Sequence, residues 1–156
     1  MTNRFFCLAL TVAGLVPHTS YAADDKTAPS VSITEKADRL RIELNGELFT
    51  EYIFKGEERY FPLFYPVMSP GQVPMTRRYP IEIIDGEDTD HPHHQSLWFA
   101  HSDINGNSFW AVKEYGTTKP GKTVHQKFTE VSSGKESGHF IAENAYVAAD
   151  GKTIMT

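Results

Sequence analysis

Four of the seven histidines fall within eleven residues, in the run Asp90-His91-Pro92-His93-His94-Gln95-Ser96-Leu97-Trp98-Phe99-Ala100-His101, with Glu87 and Asp88 just before it. Imidazole is both a metal ligand and a general acid or base near neutral pH, so this density points to a site on chemical grounds. Two chemistries are open. In the first, His91, His93 or His94 moves a proton and is oriented by Asp90, while Arg77 or Arg78 binds a carboxylate or steadies developing negative charge. In the second, a divalent metal takes His91 and His93 or His94, a carboxylate such as Asp90 or Asp88, and a further ligand such as His125 or His139, although no recognised zinc spacing is present. Tyr65, Tyr79, Trp98, Phe109 and Trp110 offer ring faces on which a sugar could stack. With Arg77, Arg78 and His101, the rings of Tyr79, Trp98 and Trp110 make the candidate substrate-binding set. The plainer alternatives are imidazoles that bond loop carbonyls, aromatics that are core, and an arginine pair that is merely solvated.

The elements that must position these residues read as strands. Leu40, Ile42 and Leu44 alternate with Arg39, Arg41 and Glu43; Asn45-Gly46 follows, and Leu48, Thr50, Tyr52 and Phe54 alternate again. An Asn-Gly pair between two alternating runs is a strong hairpin signal, because both central residues of a type I′ turn need positive φ. Val31 to Glu35 reads as a strand before the hairpin. Tyr79 to Ile84, Ser96 to Ala100, Phe109 to Val112, Thr123 to Val131 and Gly138 to Ala148 read as strands after it. Pro62, Pro66, Pro70 and Pro74 speak against any regular element from Phe61 to Met75. Asp150-Gly151 is a second hairpin signal, and the return strand after it stops at Thr156. That unfinished arm is read as the end of a fragment, whose exposed edges and apolar faces would make it poorly stable alone. With no sustained helical stripe, the expected class is all-β, an antiparallel β-sandwich truncated at its C-terminus.

This strand reading constrains the site. His101 would lie roughly 20 Å from His94 along a straight strand, so one metal could not take both. Arg77 and Arg78 would lie at the opposite end of Tyr79–Ile84 from Asp85–Asp90. A shared site therefore requires one of the two loops to fold back, and Arg78 is expected to reach an aspartate or histidine of the cluster.

Residues 1–22 have the form of a secretory signal peptide: Arg4 supplies a positive charge, Phe5 to Val16 are apolar, and a small-x-small pattern ends at Ala22. The apolar run is too short to span a bilayer as a mature helix. A lipoprotein anchor is the competing reading, but the lone Cys7 precedes the apolar core. Cleavage would leave no thiol, a polar linker at 23–30, and a single domain over 31–156 in a secreted or periplasmic protein. A formal charge of −5, with no basic cluster beyond Arg77-Arg78, argues against nucleic acid and anionic membranes as partners.

Tyr60-Phe61-Pro62, Tyr65-Pro66, Thr76-Arg77-Arg78-Tyr79-Pro80, the Asp90–His101 run and Asn105-Gly106-Asn107-Ser108-Phe109-Trp110 together resemble the PmoA-like family of secreted bacterial proteins, over roughly residues 31 to 156. Ser102 departs from the glycine expected there, which bears only on the local turn. The resemblance implies longer relatives with a large β-sandwich of the supersandwich type, often encoded near carbohydrate-processing and sugar-oxidoreductase genes. The family's label, methane oxygenase, does not transfer physically, because that membrane subunit is a bundle of spanning helices and this chain has no apolar run of 18 or more residues after its signal. The resulting expectation is an exported protein that binds or transforms a carbohydrate-type molecule at a His/Arg/aromatic cleft, as a lyase, epimerase or hydrolase. The alternative is a non-catalytic carbohydrate-binding or structural module whose histidines are structural.

Overall fold

The computed structural model describes residues 30–57, 59–113 and 119–156; the signal-peptide and most of the linker expectation lie outside these residues. Among the described residues there are strands and no helix. The first sheet is β1 (Val31–Glu35), β2 (Arg39–Leu44), β3 (Glu47–Ile53), β4 (Leu63–Val67) and β5 (Leu97–Trp98), in that spatial order. The second is β6 (Lys122–Ser132), β7 (His139–Val147) and β8 (Thr153–Met155). Every pairing is antiparallel.

The β2–β3 hairpin forms as its sequence dictates. Leu44 faces Glu47, and Asn45 and Gly46 take φ of 54° and 80°. Asp150-Gly151 turns β7 into β8 in the same spirit, with Gly151 at φ 87°.

Four strand expectations need correction. Tyr79–Ile84 is not a strand: the amides of Ile81 and Glu82 both donate to the Arg78 carbonyl, at 2.8 and 2.9 Å, so the chain coils at Pro80. Phe109–Val112 is not one either, because the Ser108 hydroxyl accepts from the amides of Trp110 and Ala111 and turns the backbone instead. The Ser96–Ala100 strand shrinks to Leu97–Trp98, cut at its start by Ser96 in the left-handed region at φ 57°. Conversely, β4 runs through the proline-rich stretch. Its register steps from Tyr52↔Phe64 to Thr50↔Val67, an irregularity in which Pro66 is not asked for a ladder hydrogen bond.

Both faces of the first sheet are covered. On one, Leu40, Tyr52 and Phe54 meet Phe128, Val131, Phe140 and Ala142 of the second sheet. Tyr52 lies 5.0 Å from the Phe140 ring and Phe54 5.2 Å from that of Phe128. In β6 the inward positions His125, Phe128 and Val131 recur every three residues rather than two. Register shifts at His125/Lys127 and Phe128/Glu130 absorb the extra residues and keep these side chains on the core. The sheets are also tied by backbone bonds at each end of β6. Thr123 donates to the Tyr60 carbonyl at 2.7 Å, and Val31 and Gly134 exchange bonds at 2.7 and 3.0 Å beside a 2.8 Å bond from the Ile33 amide to Ser133 Oγ.

Gly46 has open space where a Cβ would project, so Gly46→Ala is strained through φ alone and is expected to cost about 1 kcal/mol. Gly121 is the reverse case: a Cβ there would sit 2.5 Å from the Phe109 ring, and Gly121→Ala is expected to cost about 3 kcal/mol by overpacking. Urea unfolding of the two variants checks this order.

His125 is wedged between Phe54 and Phe128, with ring centroids at 4.4 and 4.3 Å, and its buried Nδ1 has no partner among the described residues. Burial, more than any neighbouring charge, pushes its pKa below the usual 6.5. The unfolded chain then binds this proton more readily than the folded one. Stability is intact above about pH 6.5 and falls as pH drops toward the folded-state pKa. Melting temperature is expected to decline between about pH 7 and pH 5, and His125→Gln to flatten that decline.

Candidate functional site

The histidine run lies on the other face of the first sheet, over a core of Ile53, Phe61, Leu63 and Tyr65 that Tyr60, Ile81, Trp98 and Val112 cover. Trp98 is the anchor. It pairs with Leu63 through β5, and its indole stacks on Phe61 at 6.0 Å and 17°. The His94 ring sits 5.7 Å from that indole, so the cluster rests directly on a core aromatic.

His91, at φ 46°, opens a tight turn that closes when the His94 amide donates to the His91 carbonyl at 2.9 Å. Its three imidazoles face one another. His91 and His94 stack at 5.1 Å and 13°, and His93 meets His94 edge-on at 4.3 Å. Trp110 closes the other side, 6.0 Å from His93 and 6.1 Å from His94, and remains 42% exposed. Gln95 Nε2 donates to the Pro92 carbonyl at 3.2 Å and locks the turn from behind.

The required fold-back of the loops is present, made by a different arginine from the one expected. Arg77 Nη2 donates to the carbonyls of Asp88 and Asp90 at 2.7 and 3.0 Å and to Asp90 Oδ1 at 3.3 Å. Arg78 contributes its backbone: its amide and that of Tyr79 donate to Glu87 Oε2 at 3.0 and 3.2 Å. Thr76 and Ser96 join hydroxyls at 2.7 Å. Asp90 Oδ2 in turn lies 2.7 Å from His91 Nδ1, and that hydrogen bond is the main reason its carboxyl is held below the usual range. His93 is pushed below 6.5, first by burial and then by the like charges of His94, His91 and Lys113.

Of the expected site residues, Asp90, His91, His93, His94, Arg77, Trp98 and Trp110 come together. His101 does not join the turn; it packs edge-on against Phe99 at 5.0 Å, past the far end of β5. His125 and His139 lie on the second sheet, the latter paired with Glu130 at 2.6 Å, so neither is placed as a further metal ligand for the turn. Tyr65 and Phe109 are buried and present no open ring, and Tyr79 is covered by Arg77 at 5.4 Å. Among the described residues no group of three or more His, Cys, Asp or Glu side chains is arranged to hold a metal. Stacking explains part of this, since imidazole lone pairs lie in the ring plane and those of nearly parallel rings do not converge on one point. The depression at the acidic end of the loop, about 210 Å³, is lined by Arg77, Glu87, Asp88 and Asp90 and by none of the imidazoles. Phe99, 69% exposed, and Leu97, 52% exposed, leave apolar surface on and just after β5.

Residues 39–156 match the family model described as "Family of unknown function (DUF6807)". No curated protein and no solved structure matches the chain. Among the described residues no helix is long and apolar enough to cross a membrane.

Because a neighbouring imidazole is a stated cause of the His93 shift, His94→Gln is expected to move the His93 pKa back up toward 6.5. Trp110→Ala, which opens the same ring to water, is expected to move it in the same direction. An NMR pH titration of the ring protons reads both.

Proposed function

The chain belongs to the family of unknown function DUF6807, and within it we propose that this protein is a non-catalytic carbohydrate-binding module whose histidines are structural. In this reading the two packed sheets are part of a β-sandwich, and residues 1–22 export it to the periplasm or the exterior, in line with its likeness to PmoA-like secreted proteins. One observation carries the proposal. The imidazoles turn toward one another, toward Asp90 and toward Trp98, and Arg77 is used up on loop carbonyls. A catalytic set would aim such groups at a shared cavity. What the turn offers to solvent is a ring, Trp110, steadied by His93 and His94, and a flat exposed aromatic is a natural platform for a pyranose face.

The Asp90–His91 pair favours a second reading. A carboxylate 2.7 Å from Nδ1 fixes the tautomer and leaves Nε2 on a ring that is 56% exposed, the arrangement of an oriented general base.

The two readings separate in one experiment. Affinity gel electrophoresis against a panel of neutral polysaccharides is expected to retard the protein, and Trp110→Ala to weaken that retardation about tenfold, the worth of one stacking contact. Assays for new reducing ends or unsaturated products are expected to stay silent, with or without added zinc or chelator. Arg77→Met is expected to loosen the turn, seen as faster exchange of the His94 amide, at a cost of roughly 1–2 kcal/mol. Turnover of any polysaccharide that disappears in His91→Ala would favour the general base instead.

A further inference from the structure

Three open cavities run in series along the flank of the histidine loop. The first, about 410 Å³, is lined by Tyr60, Lys119, Lys122 and Val147 among others. The second, also about 410 Å³, shares Tyr60 and Lys122 with it and adds Pro80, Pro92 and Gln95. The third, about 220 Å³, shares Pro80 and Gln95 with the second and adds Glu57, Arg59 and Ile81. Shared lining residues make these adjoining stretches of one open surface channel. Lys119, Lys122 and Arg59 are spaced along it with, among the described residues, one carboxylate, Glu57, on a chain whose formal charge is −5.

Two of its cations, Lys122 and Arg59, are held in place. Lys122 Nζ lies 5.2 Å over the Tyr60 ring, and the Tyr60 carbonyl is fixed by the Thr123 amide where the two sheets meet. Arg59 folds back on Gly56, its Nε 3.3 Å from where a Cβ would stand. That Nε is buried and without a partner among the described residues, whereas nearby Arg39 is neutralised by Asp38 and Glu51, each at 2.6 Å. Burial and the charge of Arg39 both disfavour the Arg59 cation. Among the described residues no carboxylate is paired with this half-buried guanidinium, and Asp38, which favours its charge, is itself bound to Arg39. Gln95, with one amide hydrogen spent on Pro92, also lines the channel.

We infer that this channel binds an acidic oligosaccharide, with its carboxylates met by Arg59 and Lys122 and one sugar ring set beside Tyr60. Three connected lobes suit consecutive rings of a chain better than one small anion. Apolar walls at Pro80, Pro120 and Val147 between the cations match the alternating apolar and anionic faces of a uronic acid polymer. A nucleic acid would call for denser positive charge than three cations on an acidic chain. This inference rests on the reading of the chain as a carbohydrate-binding module, but uses a different surface from Trp110.

Isothermal titration calorimetry with oligogalacturonate, a neutral cello-oligosaccharide and inorganic phosphate tests it. Oligogalacturonate is expected to bind, Lys122→Gln and Arg59→Gln each to weaken it about tenfold, added salt to weaken it further, and Trp110→Ala to leave it unchanged. Lys122 is exposed, so its variant reports on binding even if the Arg59 variant fails to fold. No oligogalacturonate binding, binding indifferent to both channel variants, or full competition by phosphate at matched ionic strength would each overturn the inference. Neutral-glycan binding lost in Trp110→Ala, with the channel variants silent, would leave the module reading standing and remove the channel. Oligogalacturonate binding through the channel without any contribution from Trp110 to neutral glycans would do the reverse to the Trp110 platform.

Discussion

The stack of Trp98 on Phe61 is the contact on which the histidine turn depends. It is made possible by a strand of two residues, β5, whose pairing with Leu63 holds the indole over the core. Burying one large aromatic is worth roughly 3 kcal/mol at most, whereas ordering each loop residue costs about 1–2 kcal/mol. One ring therefore cannot hold the long connection from β4 to β6. The remainder comes from the bonds of Arg77, Glu87, Gln95 and the Thr76–Ser96 pair, and from Phe109, which is 1% exposed and meets Tyr146 of the second sheet at 5.0 Å. These five polar residues thus brace the backbone of the loop itself.

What could be read in the residues was what is local. Asn45-Gly46 and Asp150-Gly151 declare their turns because the demand for positive φ is met by residue type alone. β1 and β7 follow from alternation and β-branched content, and β6 from its β-branched content alone. β4 could not be read, because Pro66 is tolerated only through a register irregularity against β3, and that is a property of the partner strand. Tyr79–Ile84 misled for the opposite reason: its apolar alternation is real, yet Ile83 is 82% exposed, and the amides that would have paired with a strand turn back on Arg78 instead.

The site was legible in its membership and not in its wiring. Asp90, His91, His93 and His94 could be grouped by spacing, but the left-handed backbone at His91, which turns the rings onto one another, is uncommon for any residue other than glycine and is not announced by residue type, even for histidine. The exchange of Arg77 for Arg78 is similar. Adjacent side chains point in different directions, and which of them meets Asp90 is decided by a coil at Pro80 that was read as a strand. Trp110, distant in sequence from the turn, joins it only because Ser108 bends the backbone under it.

The bonds that tie the sheets at the two ends of β6 also say something about how the chain finds its shape. The β1–β2–β3 meander and the β6–β7 hairpin each close through contacts that are near in sequence, whereas the Ile33–Ser133 bond spans a hundred residues. Closing so long a loop costs free energy only as the logarithm of its length, but contacts of such separation slow the search for the native arrangement. The two sheets are therefore expected to form as separate local units that dock late. Lengthening the stretch between them would change the rate of assembly far more than the stability of what is assembled.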